Sequence, residues 1–332
     1  MRVGTRVRLF VSIVAVPLIG LLAWSGGLPG WMVPVAEAQG EAPVYSAWML
    51  ESCTLVHYTV SALTPHRGAN TGEDFFDVPV NYNVIKGGGR VIVYDTGWKQ
   101  QAYLSAFNCQ HWAPVRDQMA PLGINPEDVD TVVLGHGHWD HAGQVDEFPN
   151  ATLVIQGEEL RFVDWATHYP NPKISETVCG RRPACGYPPD IMDLIFAKIN
   201  AGKAQVVEGE AEIAPGVKVI PAFKAHTYGT QLMQVHTAQG EFVFGSDAFS
   251  SWTSMKEYEP ANLQQVDTVA QVLTYEKAFN IAGGWDHLMS AHEPLSYTDG
   301  YPVTAKSWVG ANGSRGAELV LAPGEPSRVP PR

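Results

Sequence analysis

Residues 136 to 141 read His-Gly-His-Trp-Asp-His, so three imidazoles and one carboxylate stand within six positions. Imidazole and carboxylate groups are the ligands that hold Zn²⁺ and similar divalent ions in proteins. The apolar run 131–134 directly precedes this segment. A strand that ends in a loop can aim several side chains at one point, so the spacing predicts a metal site rather than a polar surface loop.

Three further candidate ligands, His226, Asp247 and His292, stand at comparable places later in the chain. Each follows an apolar, strand-like run and lies in a turn of small residues. One loop cannot fill the coordination shells of two metal ions. We therefore expect these three residues to join the segment 136–141 in space.

The elements that must position these residues alternate between strands and helices, which favours α/β layers. Two strand-like runs flank a Gly87-Gly88-Gly89 turn and read as a hairpin. The pattern predicts strands at 82–85, 91–94, 131–134, 153–156, 216–221 and 242–244, a helical turn at 126–128, and helices at 190–200 and 262–280.

The mature chain is predicted to be a single domain over 39–320. Residues 158–204 are rich in aromatic residues, proline and cysteine, and we interpret them as an insertion that covers part of the fold. Residues 39–50 are expected to form a flexible lead. The chain is expected to fray after Gly310 and to end in a flexible tail at 321–332.

The first 38 residues have the layout of a secretory signal peptide, with three early arginines, an apolar run at 9–24 and the small-residue site Ala36-Glu37-Ala38. Cleavage after Ala38 would place the protein in the periplasm or outside the cell, with no stable membrane span. The alternative is a retained anchor, for which the apolar run is short, since a span needs about 20 residues.

Removing residues 1–38 leaves 19 basic and 33 acidic residues, a formal net charge of −14. Such an acidic protein is a poor partner for nucleic acid or anionic membranes, because phosphates repel it. The composition therefore favours a neutral small-molecule substrate, or one that is recognised by metal.

Four cysteines, at 53, 109, 179 and 185, permit two disulfides in an oxidising compartment. Cys179 and Cys185 flank a loop-like stretch and could close it, which would leave Cys53 with Cys109. Three connectivities are possible, and free buried thiols are the alternative. The spacing does not match a Cys-x-x-Cys metal knuckle, so the cysteines are not counted as ligands.

The ordered set of motifs resembles the metallo-β-lactamase superfamily over about residues 80 to 295. The motifs are Asp95-Thr96-Gly97, His136-x-His138-x-Asp140-His141, His226, Asp247 and His292. Within it, the chain is most similar to the N-acyl homoserine lactonase branch. That likeness lies in Pro79-Val80-Asn81-Tyr82, in 133–143 and in His226-Thr227-x-Gly229-x-Gln231.

The resemblance implies an αββα sandwich with two divalent metal ions, Zn²⁺ by default, at one edge. It implies a first ion on His136, His138 and His226, and a second on Asp140, His141 and His292. Asp247 would bridge the two ions, and Asp95 would orient the ligand loop.

The implied reaction is the opening of a lactone, or the cleavage of a carboxylic ester, by a metal-bridging hydroxide. Asp140 or Asp247 would pass a proton to the leaving group. The resemblance thus implies quorum quenching, with thioesterase, β-lactamase or arylesterase activity as the alternatives. Phosphodiester cleavage is disfavoured because no Arg/Lys cluster lies near the motifs. The unbroken ligand set disfavours both an iron-dependent oxidative relative and a non-catalytic binding protein.

One position departs from the lactonase pattern. That branch usually has a tyrosine three residues after the bridging aspartate, where it contacts the substrate carbonyl, and this chain has Ser250. Tyr228, Tyr58 and Tyr82 are candidates to replace it.

Overall fold

The computed structural model describes residues 42–59, 75–168, 171, 173, 186–249, 251–261, 266–293, 295–297 and 306–329. The predicted signal peptide with its cleavage site at Ala38, the cysteines at 179 and 185, and Ser250 lie outside these residues. The signal peptide and the 38/39 boundary therefore stay predictions.

The first sheet joins both ends of the described chain. Its order is β13-β14-β1-β2-β3-β5-β6-β7, with β4 paired to β1. The neighbours from β13 to β3 are antiparallel, and those from β3 to β7 are parallel. The strands are β1 Ser46–Thr59, β2 Phe75–Gly87, β3 Arg90–Tyr94, β4 Cys109–Gln110, β5 Thr131–Val133, β6 Thr152–Gln156, β7 Ala204–Val207, β13 Lys306–Val309 and β14 Arg315–Val320.

The second sheet has the order β12-β11-β10-β9-β8. It is antiparallel except for the parallel pair of β11 and β12. Its strands are β8 Ala211–Ala214, β9 Val217–Pro221, β10 Gln231–Thr237, β11 Gly240–Phe244 and β12 Leu288–Met289.

Helices cover the outer faces of both sheets. The α-helices are α1 Gln101–Ala106, α2 Val115–Met119, α3 Trp139–Ala142, α4 Gly157–His168, α5 Pro189–Asn200, α6 Trp252–Lys256 and α7 Thr268–Ala282. Single 3₁₀ turns lie at Ala120–Leu122, Pro126–Asp128, Val145–Glu147, Ser246–Ala248, Trp285–His287 and Ala311–Gly313. In the part of the chain that the structure describes, no helix has both the length and the apolar character needed to cross a membrane.

Alternation along the strands builds the layers. In β1, Trp48 and Leu50 pack against the helices on one face, while Ala47 and Met49 pack between the two sheets. A third apolar cluster fills the space between the second sheet and α7. The described layers are therefore helix, sheet, sheet and helix, which confirms the predicted αββα sandwich.

Two expectations about the ends of the domain are wrong. The lead predicted at 39–50 includes the buried start of β1, since Ser46 is the first residue of that strand. The chain also does not fray throughout after Gly310, because Arg315–Val320 forms β14 and pairs with β1. Beyond it, Glu325 bonds Lys86, so the described part of the predicted tail is held to the fold.

The helix predicted at 262–280 begins later than expected, at Thr268. Asp267 caps α7 by accepting hydrogen bonds from two backbone amides, and residues 262–265 lie outside the described part. Tyr275 and Ala278 lie in the core, whereas the apolar side chains of Val269 and Leu273 are exposed. The small Ala278 lets the helix approach the sheet closely, and hydropathy alone does not reveal this.

Cys53 and Cys109 form a disulfide, with their Cα atoms 5.8 Å apart. Cys109 lies in β4, which pairs with β1 beside Cys53. The bond thus ties the segment that follows α1 to the first sheet.

Candidate metal centre

The candidate ligands lie where strands of both sheets end. β3 and β5 are parallel neighbours in the first sheet, and β11 and β12 are parallel neighbours in the second. The loops after these strands carry Asp95, the 136–141 segment, Asp247 and His292. His226 lies in the connection between β9 and β10. The carboxyl ends of parallel strands meet at one edge, so the sequence brings all these loops together.

The first cluster consists of three buried histidines, His136, His138 and His226, whose nitrogen ligand atoms lie within 4.8 Å of one another. His226 Nε2 and His138 Nδ1 are 3.0 Å apart. Three nitrogens at this spacing can converge on one small cation.

The second cluster consists of Asp140, His141, Asp247 and His292, and its ligand atoms also lie within 4.8 Å of one another. Asp140 Oδ2 lies 3.5 Å from His141 Nε2 and 3.6 Å from His292 Nε2. Asp140 is the most exposed of the four, with 13% of its side chain accessible.

Asp247 contacts both clusters. Its Oδ1 lies 3.1 Å from His141 Nε2 and 3.0 Å from His292 Nε2. Its Oδ2 lies 3.3 Å from His226 Nε2. This is the position that a carboxylate bridging two ions would occupy, so the structure assembles all seven predicted ligands, and their coordination stays a prediction.

In three of the candidate ligand histidines, the ring nitrogen Nδ1 points away from the clusters and has a polar partner. His141 Nδ1 lies 2.9 Å from Asp95 Oδ2, and His292 Nδ1 lies 3.1 Å from the carbonyl oxygen of Pro79. His136 Nδ1 lies 3.2 Å from Ser246 Oγ. These contacts direct each Nε2 inwards, which is how histidine ligands are normally oriented.

Asp95 holds the ligand loop as predicted. It adopts the left-handed region at φ 61°, and its Oδ1 accepts a hydrogen bond from the Gly135 amide at 2.8 Å. Gly135 must be glycine, because a Cβ there would lie 2.4 Å from the Cβ of Ser246. Behind the ligands, the backbone of the first-sheet loop at Gly135 therefore packs against the side chain of Ser246 in the second-sheet loop.

The buried charges shift the pKa values of the ligands in opposite directions. Burial lowers the pKa of His136, and the imidazoles of His141 and His138 lower it further, so this ring is neutral. Burial also lowers the pKa of His292, but the carboxylates of Asp247 and Asp140 outweigh it and raise the value to about 10. Burial raises the pKa of Asp247, but the neighbouring histidines hold it well below its usual range.

The donor set fits two divalent cations. Among the described residues, the buried Nε2 of His136 has no hydrogen-bond partner, although it points into the first cluster. Leaving such a group unpaired costs about 1–3 kcal/mol, and a bound cation would remove that cost. Five imidazoles and two carboxylates also match the ligand preference of Zn²⁺.

A cleft of about 520 Å³ opens onto both clusters. Its floor includes His138, Asp140, His226, Asp247 and His292. Its walls are mainly apolar and consist of Leu55, Tyr58, Val78, Tyr103, Ala106, Phe107, Trp139, Gly186 and Pro188. A volume of this size suits a small organic molecule.

Trp139, which lies within the 136–141 segment, forms part of the cleft wall. It lines the cleft and stacks on Phe107, with ring centroids 4.4 Å apart. Other aromatic residues lie away from the cleft. Phe249 is fully buried beneath the second sheet, and Phe162 stacks on Trp165 in the outer helical layer.

Of the three candidates for the missing tyrosine, only Tyr58 lines the cleft. Tyr82 is fully buried in the core, and Tyr228 stacks on Phe162. Tyr103 is a second tyrosine in the cleft wall, and its hydroxyl lies 3.2 Å from Asp190 Oδ1.

The described residues of the predicted insertion at 158–204 pack in the core and line one side of the cleft. In its described part, Val163 of α4 and Ile191 of α5 belong to the core of the first helical layer. Gly186 and Pro188 line the cleft. The described part of the insertion therefore belongs to an outer layer and contributes one rim of the cleft.

Sequence reasoning missed Ser246 and Glu159. Ser246 precedes the ligand Asp247 and contacts His136 and His141. Glu159 is completely buried and binds the loops that carry His138 and His226. A serine beside a ligand is a weak signal, and a glutamate early in a helix looks like an ordinary dipole-compensating residue.

Comparison with known proteins agrees with this geometry. Residues 76–283 match the model of the metallo-beta-lactamase superfamily. The N-acyl homoserine lactonase AiiB of Agrobacterium fabrum is 28% identical over 193 residues, which cover 52% of this chain and 63% of AiiB. The match thus spans less than two thirds of that relative.

Two solved structures share the fold. An N-acyl homoserine lactone hydrolase with N-hexanoyl-L-homoserine at its catalytic metal centre superposes with a TM-score of 0.56 at 16% identity, covering 75% of this chain and 94% of that one. The dizinc quorum-quenching lactonase AidC gives 0.54 at 15% identity, covering 77% and 90%. At these identities the likeness establishes the fold alone.

Proposed function

This chain belongs to the metallo-beta-lactamase superfamily, and we propose that it is a dinuclear metal-dependent hydrolase that opens a lactone or cleaves a carboxylic ester, most like an N-acyl homoserine lactonase. One observation carries the proposal: the apolar cleft opens directly onto the two ligand clusters. The lactonase AiiB, as a relative, supports the substrate class.

The first ion would be held by His136, His138 and His226, and the second by Asp140, His141 and His292, with Asp247 between them. We propose Zn²⁺, because imidazole and carboxylate donors suit it and the neighbour AidC is a dizinc enzyme. Two such ions, when bound, polarise an ester carbonyl and make water a nucleophile at neutral pH.

The cleft favours a neutral substrate with an apolar part. Among the described residues that line it, none is lysine or arginine, so nothing there pairs with a phosphodiester. The aromatic wall around Trp139 and Phe107 can bury an acyl chain, since apolar surface gains about 25 cal/mol per Å² on leaving water.

Asp140 is the group proposed to move the proton. Burial raises its pKa, but the neighbouring His141 and His292 outweigh this and hold it well below the usual range, so the carboxylate is ionised. It lines the cleft, where it can take a proton from the attacking water and pass it to the departing alkoxide. Asp247, which is also ionised, holds the two clusters together.

Tyr58 is the group proposed to contact the substrate carbonyl in place of the tyrosine missing at Ser250. It lines the same cleft as Asp140 and His138, whereas Tyr82 and Tyr228 do not. A phenol hydroxyl can donate a hydrogen bond to the oxygen on which negative charge develops.

A hydrolysis panel tests this function. The substrates are acyl homoserine lactones of several chain lengths, aryl esters, thioesters, β-lactams and bis-p-nitrophenyl phosphate, assayed with the wild type, His138→Ala and His236→Gln. His236 pairs with Glu241 on the second sheet, outside both clusters, so it is the matched control. Lactones are expected to turn over fastest, with at least a 100-fold loss in His138→Ala alone.

Turnover of thioesters, β-lactams or aryl esters in place of lactones would select the corresponding alternative. Turnover of the phosphodiester alone would contradict the substrate class. Full activity in His138→Ala would refute the metal mechanism itself.

We also propose export to the periplasm or beyond, with cleavage after Ala38. The disulfide between Cys53 and Cys109 supports this, because such bonds persist in oxidising compartments. N-terminal sequencing of protein from fractionated cells is expected to give a chain starting at Gln39 in the periplasm or medium. An intact N-terminus in the membrane fraction would instead indicate a retained anchor.

A further inference from the structure

Glu159 is a buried carboxylate whose charge the proposed reaction does not use. It is the third residue of α4 and is 0% exposed. Oε1 accepts hydrogen bonds from the Gly137 amide at 2.8 Å and the Tyr187 hydroxyl at 2.6 Å. Oε2 accepts from the Thr227 hydroxyl at 2.7 Å and the Gly229 amide at 2.9 Å. All four donors are uncharged.

Three of these donors belong to the two loops that carry the first cluster. Gly137 stands between His136 and His138, and Thr227 directly follows His226. One carboxylate therefore fixes the distance between the two loops. By contrast, the contact of Asp95 is with His141 in the second cluster.

The packing around Glu159 leaves the loops little freedom. A Cβ on Gly229 would lie 2.1 Å from the backbone nitrogen of Glu159, so this loop lies directly on the start of α4. The Tyr187 hydroxyl donates to the same carboxylate, and the centroid of its ring lies 4.9 Å from that of His138. A shift of the carboxylate would therefore move both loops.

Burial raises the pKa of the Glu159 carboxyl above its usual value, and the four hydrogen bonds that it accepts oppose this rise. Burying an ionised carboxylate costs several kcal/mol unless hydrogen bonds or an opposite charge offset it. The four hydrogen bonds offset part of this cost, and a cation in the adjacent cluster of three imidazoles would offset more in a medium of low dielectric constant. The start of α4 also favours negative charge, but three of the four donors to this carboxylate belong to the loops beside the first cluster and none belongs to α4.

We propose that Glu159 is the positioning residue of the first metal site: it sets the spacing of the 136–138 loop against His226 and supplies buried negative charge that the first cation balances. This inference rests on the metal centre of the proposed function. It assigns to Glu159 no contact with substrate.

The test is the affinity of the first site in Glu159→Gln, measured in a His292→Ala background that weakens the second site. Metal-stripped protein is titrated with Zn²⁺ against a chromophoric chelator. Glutamine keeps the size of the side chain but presents an NH₂ group where a donor already points. The first ion is expected to bind 10- to 100-fold more weakly, the range typical of losing a group that orients the ligands of a metal.

Glu158→Gln in the same background is the matched control. Glu158 is the neighbouring residue on the same helix and pairs with Arg161 at the surface, so zinc affinity should stay within about twofold. Thr227→Val removes a single donor to the carboxylate. It is expected to lower the affinity for the first ion by a smaller factor than Glu159→Gln does. If circular dichroism shows that Glu159→Gln is unfolded, Thr227→Val takes its place in the test.

The outcomes separate this inference from the proposed function. Wild-type zinc affinity in folded Glu159→Gln, or in Thr227→Val if the first variant unfolds, would overturn the role of Glu159 and leave the function intact. A wild type that binds two ions but cleaves none of the panel substrates would refute the function and leave Glu159 in its role. A wild type that binds no zinc would overturn both.

Discussion

Replacing Asp95 with asparagine is expected to lower the affinity of the second cluster for its metal ion without unfolding the protein. The residue is buried, with one carboxylate oxygen accepting from the Gly135 amide and the other 2.9 Å from His141 Nδ1. Asparagine can keep the first contact through its carbonyl oxygen. Its NH₂ group then faces Nδ1, so the ring must move its proton to Nε2, the nitrogen that points to Asp140 and Asp247.

The magnitude follows from that single contact. A protonated Nε2 cannot bind a cation, and losing the partner of a ligating histidine typically costs 10- to 100-fold in metal affinity. This corresponds to about 1.4–2.7 kcal/mol. Folding stability should fall by less than the cost of an unpaired buried group, about 1–3 kcal/mol, because the Gly135 contact remains.

Zinc titration against a chromophoric chelator measures the two affinities, and circular dichroism checks the fold. Asp130→Asn is the matched control, because that exposed carboxylate also accepts a backbone hydrogen bond, from Val91, but contacts no ligand. Two ions bound with wild-type affinity in folded Asp95→Asn would refute the orienting role of Asp95.

Three further predictions follow from other parts of the structure. Replacing Cys53 and Cys109 by serine opens a link across 56 residues and should lower the free energy of unfolding by about 4 kcal/mol; an unchanged guanidinium midpoint would contradict this. Tyr58→Phe should lower kcat on the best lactone by about 100-fold with both ions retained, as for a lost oxyanion donor. Tyr103→Phe should leave kcat unchanged. A wild-type kcat in Tyr58→Phe would exclude the carbonyl contact. In metal-free protein the folded-state pKa of His292, about 10, exceeds its unfolded value of 6.5, so its stabilisation is complete below pH 6.5 and lost as pH rises through 10. The melting temperature of the metal-free wild type should therefore fall over this range more than that of metal-free His292→Asn, and parallel curves would disprove the pairing.

The features that the sequence predicted are those with a local signature. The metal-binding character of the 136–141 segment can be predicted from six neighbouring residues. The hairpin of β2 and β3 can be predicted from its glycine turn and the apolar runs beside it. The same holds for β5 and β6, whose apolar runs the structure confirms. Each candidate ligand also follows an apolar run, so strand-end reasoning placed all seven together.

The features that it missed depend on partners far along the chain. Ser246 contacts His136 across 110 positions, and Glu159 contacts Gly229 across 70. The cleft role of Trp139 depends on Phe107, which follows α1 and lies near the disulfide-bonded Cys109. No local pattern encodes such contacts, because tertiary packing decides them.

Anomalous X-ray diffraction from crystals of the zinc-loaded protein tests the central claim most directly. The account predicts two zinc peaks about 3.5–4 Å apart, as in other two-metal sites. One should be bonded to His136, His138 and His226, the other to Asp140, His141 and His292, with Asp247 between them. A single peak, no peak, or zinc bound away from these seven side chains would contradict it.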